Sequence, residues 1–397
     1  MSAIAGPPES DLEGLYTPAT HVRRAHAMRI AILSPPWFSV PPARYGGVEA
    51  MVSLLADGLA DRGHEVTLFA SGDSMTRATL SAVHATAPSD LLGLSDPALL
   101  HAMPLFERAA EFDVVSDHTG ALGLALSALT TTPFVHTVHG SLEGPSGRLY
   151  ESIVRALGGN ARLTSLTMSQ RRAAPTLPWF ANVPNAVDLD LHSCRARAGG
   201  AYLFWIGRMS PDKGPDVAIR VARAVGLPLI LAGKLSEPAE RRYFERVIEP
   251  LLGDGVCFIG EVDPRERVEL LHGARALLFP IAWEEPFGLV MIEAMACGVP
   301  VIATRRGSVE EVVEHGRSGL IVDSEAELVD AIGAVDALDP RECRRSVEER
   351  FSPDRMIDGY AEAFARASRR LTIRGTVHDA WHGGVDSAAA VHGAVGG

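Results

Sequence analysis

A strand–loop–helix–strand unit near the start of this chain begins again near its middle, and no other feature limits the fold as tightly. Residues 29–34 (RIAILS) form a short apolar run suited to a buried strand, followed by a Pro- and Gly-rich loop, PPWFSVPPARYGG. Over 48–61, Val48, Val52, Leu55 and Leu59 recur at spacings of three and four, one face of an amphipathic helix. Arg62-Gly63-His64 closes that helix, and 65–70 (EVTLFA) reads as the next strand. Strand, helix and strand in this order form a right-handed crossover and imply a parallel sheet. Strand-like runs at 112–115 and 132–138, with helical 122–129 between them, continue the alternation.

After Val183-Pro184-Asn185 a polar stretch ends in Ala198-Gly199-Gly200, and the pattern restarts. It runs through strand 202–206, loop GRMSPDKG, helix 216–224 and strand 228–232, with further strands at 256–259, 276–279, 301–303 and 319–322. The expected fold is α/β, with two Rossmann-like doubly wound domains facing across a cleft and ligand at the carboxyl ends of the strands. The expected domains are 28–195 and 196–352, with a last helix, 353–372, returning to the first domain. Residues 1–27 read as a disordered leader without the apolar stretch of a secretory signal, and Gly/Ala/His-rich 373–397 as a disordered tail.

Composition removes several function classes. The 397 residues exceed one ordinary core and suit two domains. Mean hydropathy is slightly positive, but no window approaches the roughly 18 unbroken apolar residues of a membrane span. A net charge of −12 disfavours nucleic acid as a partner. The run Arg155, Arg162, Arg171, Arg172 suggests a membrane-facing patch, but acidic residues outnumber arginines across the first domain, and membrane association is not indicated. Cys194, Cys257, Cys297 and Cys343 are far apart, which excludes a C-x-x-C zinc site and suits a reducing, cytoplasmic setting. There is no G-x-G-x-x-G, which argues against a nicotinamide or flavin dehydrogenase.

The chemistry concentrates in a few segments. In Glu285-Pro286-Phe287-Gly288-Leu289-Val290-Met291-Ile292-Glu293, Pro286 suits the first turn of a helix that stops at Cys297-Gly298. The free N–H groups of such a helix start suit a phosphate or a hydroxyl-rich ligand, and Gly288 admits close approach. Glu285 just before the helix and Glu293 further along it offer carboxylates to paired hydroxyls. Gly207-Arg208 and Lys213-Gly214 follow strand 202–206, so two cations can reach the cleft and neutralise a departing diphosphate. Only two of the 37 basic residues are lysine, Lys213 and Lys234; each follows a strand. Gly46-Gly47 opens the first helix, a second phosphate-friendly amino end. His118 and His139 follow strands at the cleft edge, His139 on the acceptor side. Asp188-Leu189-Asp190 has the form of a metal-binding D-x-D but stands between the domains, and no metal or other cofactor is expected.

These segments, in this order, resemble glycosyltransferase family 4, retaining enzymes of the GT-B fold, over about 29–369. The most specific match is EEPFGLVMIEAMACGVPVIATRRGSVEEVVEHGRSGLIVD at 284–323, where the family's E-x7-E falls on Glu285 and Glu293. WIGRMSPDKGPD, YGGVEAMV, SQRRAAPTLPWFANVPNAVD and the His139-Gly140 pair support it. The resemblance implies a metal-independent hexosyltransferase that moves a sugar from a nucleotide-diphosphate-sugar donor to an unidentified hydroxyl acceptor. A UDP-sugar is the favoured donor and GDP-mannose the second. It further implies that Arg208 and Lys213 bind the diphosphate, Glu293 the ribose, and Glu285 with the backbone of Phe287-Gly288-Leu289 the sugar. Gly47 would approach the phosphates, Gly260-Glu261-Val262 would flank the base, and His118 would sit near the reacting carbon. Two positions depart from the family pattern: Ser116 where H-x-H has its first histidine, and Gly307-Ser308 where it has Gly-Gly. The alternatives are a nucleotide-sugar-binding protein without catalysis and an epimerase on the same fold.

Overall fold

The computed structural model describes residues 27–158 and 161–382, so the expected leader (apart from Ala27) and 383–397 of the expected tail lie outside the described residues. The first sheet contains β1 Arg29–Leu33, β2 Glu65–Phe69, β3 Thr79–Ser81, β4 Val114–Asp117, β5 Phe134–Thr137, β6 Leu163–Ser165 and β7 Trp179–Asn182. The second contains β8 Tyr202–Ile206, β9 Leu229–Ala232, β10 Val256–Phe258, β11 Ala274–Phe279, β12 Val301–Thr304 and β13 Gly319–Val322. Their orders are β3-β2-β1-β4-β5-β6-β7 and β10-β9-β8-β11-β12-β13, with every pairing parallel. Chain direction across each sheet reverses between β1 and β4 and between β8 and β11. A crevice opens at such a switch point because the two flanking connections leave on opposite faces.

The first-domain helices are α1 Gly47–Asp61, α2 Ser95–Glu107, α3 Ala121–Leu126, α4 Pro145–Ala156 and α5 Met168–Ala173. The second domain adds α6 Pro215–Val225, α7 Pro238–Tyr243, α8 Pro264–Gly273, α9 Leu289–Ala296, α10 Val309–Val312, α11 Glu325–Ala334 and α12 Pro340–Arg350, before a final α13, Pro353–His382. The apolar stripe of α1 (Met51, Val52, Leu55, Leu59) packs on Ile30, Ile32 and Leu68 of β1 and β2. Tyr360 and Phe364 of α13 belong to the same cluster, fully buried. Each contributes about 2–3 kcal/mol of burial to a domain the chain had already left. Tyr360 OH lies 3.0 Å from Thr137 Oγ1, and Arg62 pairs with Asp354 and Asp358. Gly58 leaves room for Ile357, whose Cδ1 lies 2.1 Å from where a Cβ would stand. The last helix therefore ties the two domains through the first domain's core.

Two expectations about helix limits are corrected. α13 continues to His382 rather than ending near 372, because no proline follows Pro353 to break it and Gly375 by itself costs a helix only about 1 kcal/mol. The helix of the Glu285 segment starts at Leu289, not at Pro286. Gly288, at φ +79°, stands in the left-handed region and ends the loop before it, while Phe287 turns into the core against Phe351. α9 is apolar except for Glu293, with Met291, Ile292, Ala294, Met295 and Ala296 all buried. Such packing gives its amino end a fixed position at the cleft.

Candidate active site

The second-domain wall is made by the loops after β8 and β11. After β8 the chain makes a tight turn over Pro211–Lys213 and leaves it at Gly214, φ +66°. A Cβ at Gly214 would stand 2.2 Å from the Pro280 carbonyl oxygen, so glycine is what lets the two loops touch. That contact brings Lys213 Nζ into an ion pair with Glu285 Oε2, with Trp283 Nε1 donating to the same oxygen at 3.2 Å. The ammonium also lies 4.5 Å from the centre of the Trp283 ring. Trp205 Nε1 donates to the Lys213 carbonyl at 3.1 Å, holding the turn from beneath. Desolvation offsets most of the Coulomb gain of a pair this buried, so stability alone does not account for it. Arg208, one-third exposed, reaches Asp212 at 3.6 Å.

Gly307 and Ser308, the second departure from the family pattern, hold the loop that carries Glu285. Gly307 N donates to Glu284 Oε2 (2.9 Å), Ser308 N to the Glu285 carbonyl (2.9 Å) and Ser308 Oγ to the Phe287 carbonyl (2.8 Å). From the first domain, Thr167 Oγ1 donates to the Pro286 carbonyl at 2.9 Å. On α9, Glu293 Oε1 accepts from Arg267 Nη1 of α8 at 2.6 Å. Burial opposes ionisation of Glu293, but Arg267, with help from His192, holds its carboxyl below the usual range. Its second oxygen, buried, has no partner among the described residues.

The first-domain wall is the loop after β1 and the start of α1. A Cβ on Gly47 would stand 2.8 Å from Leu289 Cδ1, so the amino ends of α1 and α9 meet across the cleft. Two chambers open on either side of this contact. One, about 370 Å³, is lined from the first domain by Arg44, Gly46 and Gly47 and from the second by Arg208, Lys213, Lys234, Glu261, Val262, Arg267, Glu285, Gly288, Leu289 and Glu293. The other, about 580 Å³, is lined by Trp37, Phe38, Glu49, His118, His139, Tyr150 and Asn185. Tyr45, Gly47, Glu285, Gly288 and Leu289 border both.

Most residues singled out in the sequence thus converge on one cleft, with one exception. Gly260 is outside both chamber walls, its carbonyl accepting from Gly233 N at 2.9 Å, so of that loop Glu261 and Val262 face the charged chamber. Phe287 borders the aromatic chamber, but its side chain is buried and its carbonyl is taken by Ser308, leaving Gly288 and Leu289 to offer backbone. The Asp188 carboxylate accepts from the backbone N–H of Asp190 and Leu191, a turn closure of its own. No group of three His, Cys, Asp or Glu suited to a metal occurs among the described residues. No described helix is long and apolar enough to cross a membrane.

His118 and His139 both line the aromatic chamber beside Glu285 and Gly288, as their positions after strands imply, and they are coupled to each other. His118 is buried with both nitrogens engaged: Nε2 with Ser116 Oγ at 2.9 Å and Nδ1 with His139 Nε2 at 2.9 Å. It therefore has no free nitrogen for a reacting carbon. Burial pushes His118 well down, with His139 and His136 adding to it; burial and His136 take His139 to about 3, so both rings are neutral at pH 7. Ser116 has no other side-chain acceptor among the described residues, so its buried hydroxyl proton belongs on His118 Nε2. His118 Nδ1–H then donates to His139 Nε2, which leaves His139 presenting an Nδ1–H to the aromatic chamber. Beneath them, His136 bridges Asp117 (2.5 Å) and Tyr150 OH (3.0 Å).

Lys234, Arg267, Tyr45 and Glu49 escaped the sequence reading as site residues. Lys234 had one signal, being the second lysine of an arginine-rich chain. It is buried after β9, with its ammonium 4.4 Å from the Tyr45 ring of the opposite domain. Arg267 had none, because it is indistinguishable from Arg265 on the same helix until α8 is seen beside α9. Burial raises the Glu49 carboxyl to about 7, its own backbone N–H and Lys234 opposing the rise.

Two parallel-sheet domains with opposed switch points and a cation-lined cleft define the GT-B class of sugar transferases. Residues 45–190 match the family described as Glycosyltransferase Family 4 and residues 194–348 that described as Glycosyl transferases group 1. D-inositol 3-phosphate glycosyltransferase of Pseudarthrobacter chlorophenolicus is 30% identical, over 73% of this chain and 82% of the relative. Glycogen synthase of Mycobacterium tuberculosis is 27% identical, over 74% and 82%. Among solved structures, AviGT4, a glycosyltransferase involved in avilamycin A biosynthesis, is 26% identical with a TM-score of 0.63 over 86% of this chain and 98% of its own. Anabaena HepE, solved in complex with UDP-glucose, shares the fold at 20% identity and a TM-score of 0.68, over 85% of this chain and all of its own. The chain belongs to glycosyltransferase family 4 and is an enzyme that uses a nucleotide-sugar donor.

Proposed function

We propose that this enzyme transfers a sugar from a nucleotide-diphosphate-sugar, a UDP-sugar before GDP-mannose, to a hydroxyl acceptor with retention of anomeric configuration and without a metal. The carrying observation is the Lys213–Glu285 pair, set with Arg208 at the switch point of the second sheet and facing the amino end of α1. The diphosphate lies against Arg208, Lys213 and the N–H groups that begin α1 at Gly47. Two cations and a helix dipole supply the charge stabilisation that a divalent ion would otherwise supply. Glu293, fixed by Arg267 and with one oxygen unpartnered, takes the ribose hydroxyls. Glu285 and the backbone of Gly288 and Leu289 take the sugar, and Glu261 and Val262 flank the base. His139, rather than His118, donates to the sugar from the acceptor side, and His118 with Ser116 sets its tautomer.

Retention is explained by front-face attack. The acceptor oxygen bonds to the anomeric carbon as the carbon–phosphate oxygen bond breaks, and the departing phosphate oxygen takes the acceptor's proton. The engagement of the Glu285 carboxylate by Lys213 and Trp283 supports this reading, because it leaves that carboxylate poorly placed as a nucleophile. A reducing, cytoplasmic setting fits four cysteines that are all free thiols.

The test is a donor panel read by thermal shift and by transfer, with Lys213→Ala and Glu293→Ala beside the wild type. The expected result is a rise in Tm with UDP that Glu293→Ala loses, and transfer that Lys213→Ala abolishes. Full activity in both variants rejects the donor site as described. Product of inverted configuration rejects the front-face step.

A further inference from the structure

The two chambers differ in charge, and the difference bears on what the acceptor is. The smaller chamber is lined by Arg44, Arg208, Lys213, Lys234 and Arg267, whereas no lysine or arginine lines the larger one among the described residues. Its acidic and basic walls are Glu49, Glu285 and the two neutral histidines, beside the phenols of Tyr45 and Tyr150. Resting on the sugar-transfer reading above, we propose that the acceptor is an uncharged polyhydroxy ring, a sugar or polyol without a phosphate. The relatives named for D-inositol 3-phosphate bear the name of an anionic substrate, so this inference separates the present chain from them.

Three observations carry it. A phosphomonoester brings a charge of about −1.5 to −2 at pH 7 and oxygens that only accept hydrogen bonds. Enclosing it without a cation leaves that charge desolvated and unpaired. Second, Asn185 Oδ1 is buried in the chamber wall with no partner among the described residues. An amide oxygen in that state calls for a hydroxyl donor, which a polyhydroxy ring supplies; it speaks for the ring, as the missing cation speaks for its neutrality. Third, Trp37 and Phe38 are half-buried, and the Phe38 and Tyr45 rings meet edge-on with centroids 5.9 Å apart. Flat apolar faces beside a few placed polar groups suit the C–H face of a ring whose hydroxyl edge meets Asn185, Ser141 and His139. The Glu49 carboxyl sits on the same side, and a nearby dianion would oppose its ionisation further.

The experiment uses the full chain saturated with UDP, so that the cations of the smaller chamber are occupied. Saturation-transfer NMR then compares myo-inositol with inositol 3-phosphate, and glucose with glucose 6-phosphate, at fixed ionic strength. The expected result is that the neutral member of at least one pair binds tenfold or more tightly than its phosphorylated partner, and that Trp37→Ala loses most of that binding. Ser146→Arg, which places a cation on the chamber rim, shifts the preference towards the phosphorylated member. Tighter binding of the phosphorylated members by the wild type, or no binding of either neutral member, overturns the proposal. Failure of both UDP and GDP to raise Tm is a separate outcome, read before any acceptor is added, and it removes the donor reading together with this one.

Discussion

The charged chamber and the aromatic chamber share a wall and arise from equivalent places in two similar sheets, yet they are built on opposite principles. In the charged chamber the central side chains are tied by ion pairs: Lys213 to Glu285 and one oxygen of Glu293 to Arg267, with the Glu285 loop held by Gly307 and Ser308. In the aromatic chamber the walls come largely from the long loop after β1 and the segment after β5, and ion pairs between wall residues are replaced by packed rings and by one buried oxygen, Asn185 Oδ1, without a partner among the described residues. A site that handles a diphosphate needs fixed charge, and fixed charge in a low-dielectric cleft needs partners. A site that recognises a neutral ring needs shape and unspent hydrogen bonds. The first kind of site is set by ion pairs, the second by loop conformation.

The largest expected effect tests the charged side. Lys213→Ala should lower kcat/KM by about 10³-fold while changing acceptor binding little, because the lost charge acts on the departing phosphate. Steady-state kinetics decide it, and a change confined to acceptor KM would break the division of labour between the chambers. Arg267→Ala should cost about 3–5 kcal/mol in denaturant unfolding, since it strands a buried Glu293 carboxylate. The exposed pair Arg29–Asp113 serves as control, and its removal should cost less than about 1 kcal/mol.

Glu49 gives a pH signature on the aromatic side. Its carboxyl is raised in the folded chain from 4.5 to about 7, so the native state keeps a proton that the unfolded chain gives up. The stability tied to this group is complete below about 4.5 and is lost as pH rises through about 7. Glu49→Gln should therefore gain on the wild type across that window, by roughly 2–3 kcal/mol at pH 8. A difference in Tm that does not vary with pH rejects the assignment. The smallest effect probes the shared wall: Gly47→Ala puts a methyl against Leu289 and should weaken donor binding about tenfold, close to 1.4 kcal/mol. Isothermal titration with UDP reads it, and unchanged affinity would mean that the domains separate at no cost.

Much of this architecture was legible in the sequence. The period of apolar residues in 29–34, 48–61 and 65–70 demands a parallel β-α-β unit, because burying those faces leaves few other arrangements. Its restart at 202 requires a second such unit. Local chemistry also marked Gly46-Gly47, Arg208, Lys213, Glu285 and Glu293, since glycines at helix starts and charges after strands are local patterns. The start of α9 was misplaced because Pro286 suits a first turn by propensity, whereas the packing of Phe287 on Phe351 and the left-handed Gly288 put the helix three residues later.

What the sequence alone determined was the fold and part of the list of cleft residues, because both follow from short-range periodicity and from where strands end. The tertiary structure decided how those residues are paired. That Lys213 meets Glu285 and Arg267 meets Glu293 depends on separations of 72 and 26 residues, closed by loops no local rule specifies. The same holds for His118, whose nitrogens are taken by Ser116 and by His139 in the loop after the neighbouring strand, so that the free N–H passes to His139. Hydrogen bonds and ion pairs act over a few ångströms of space, and only folding brings such residues within that range.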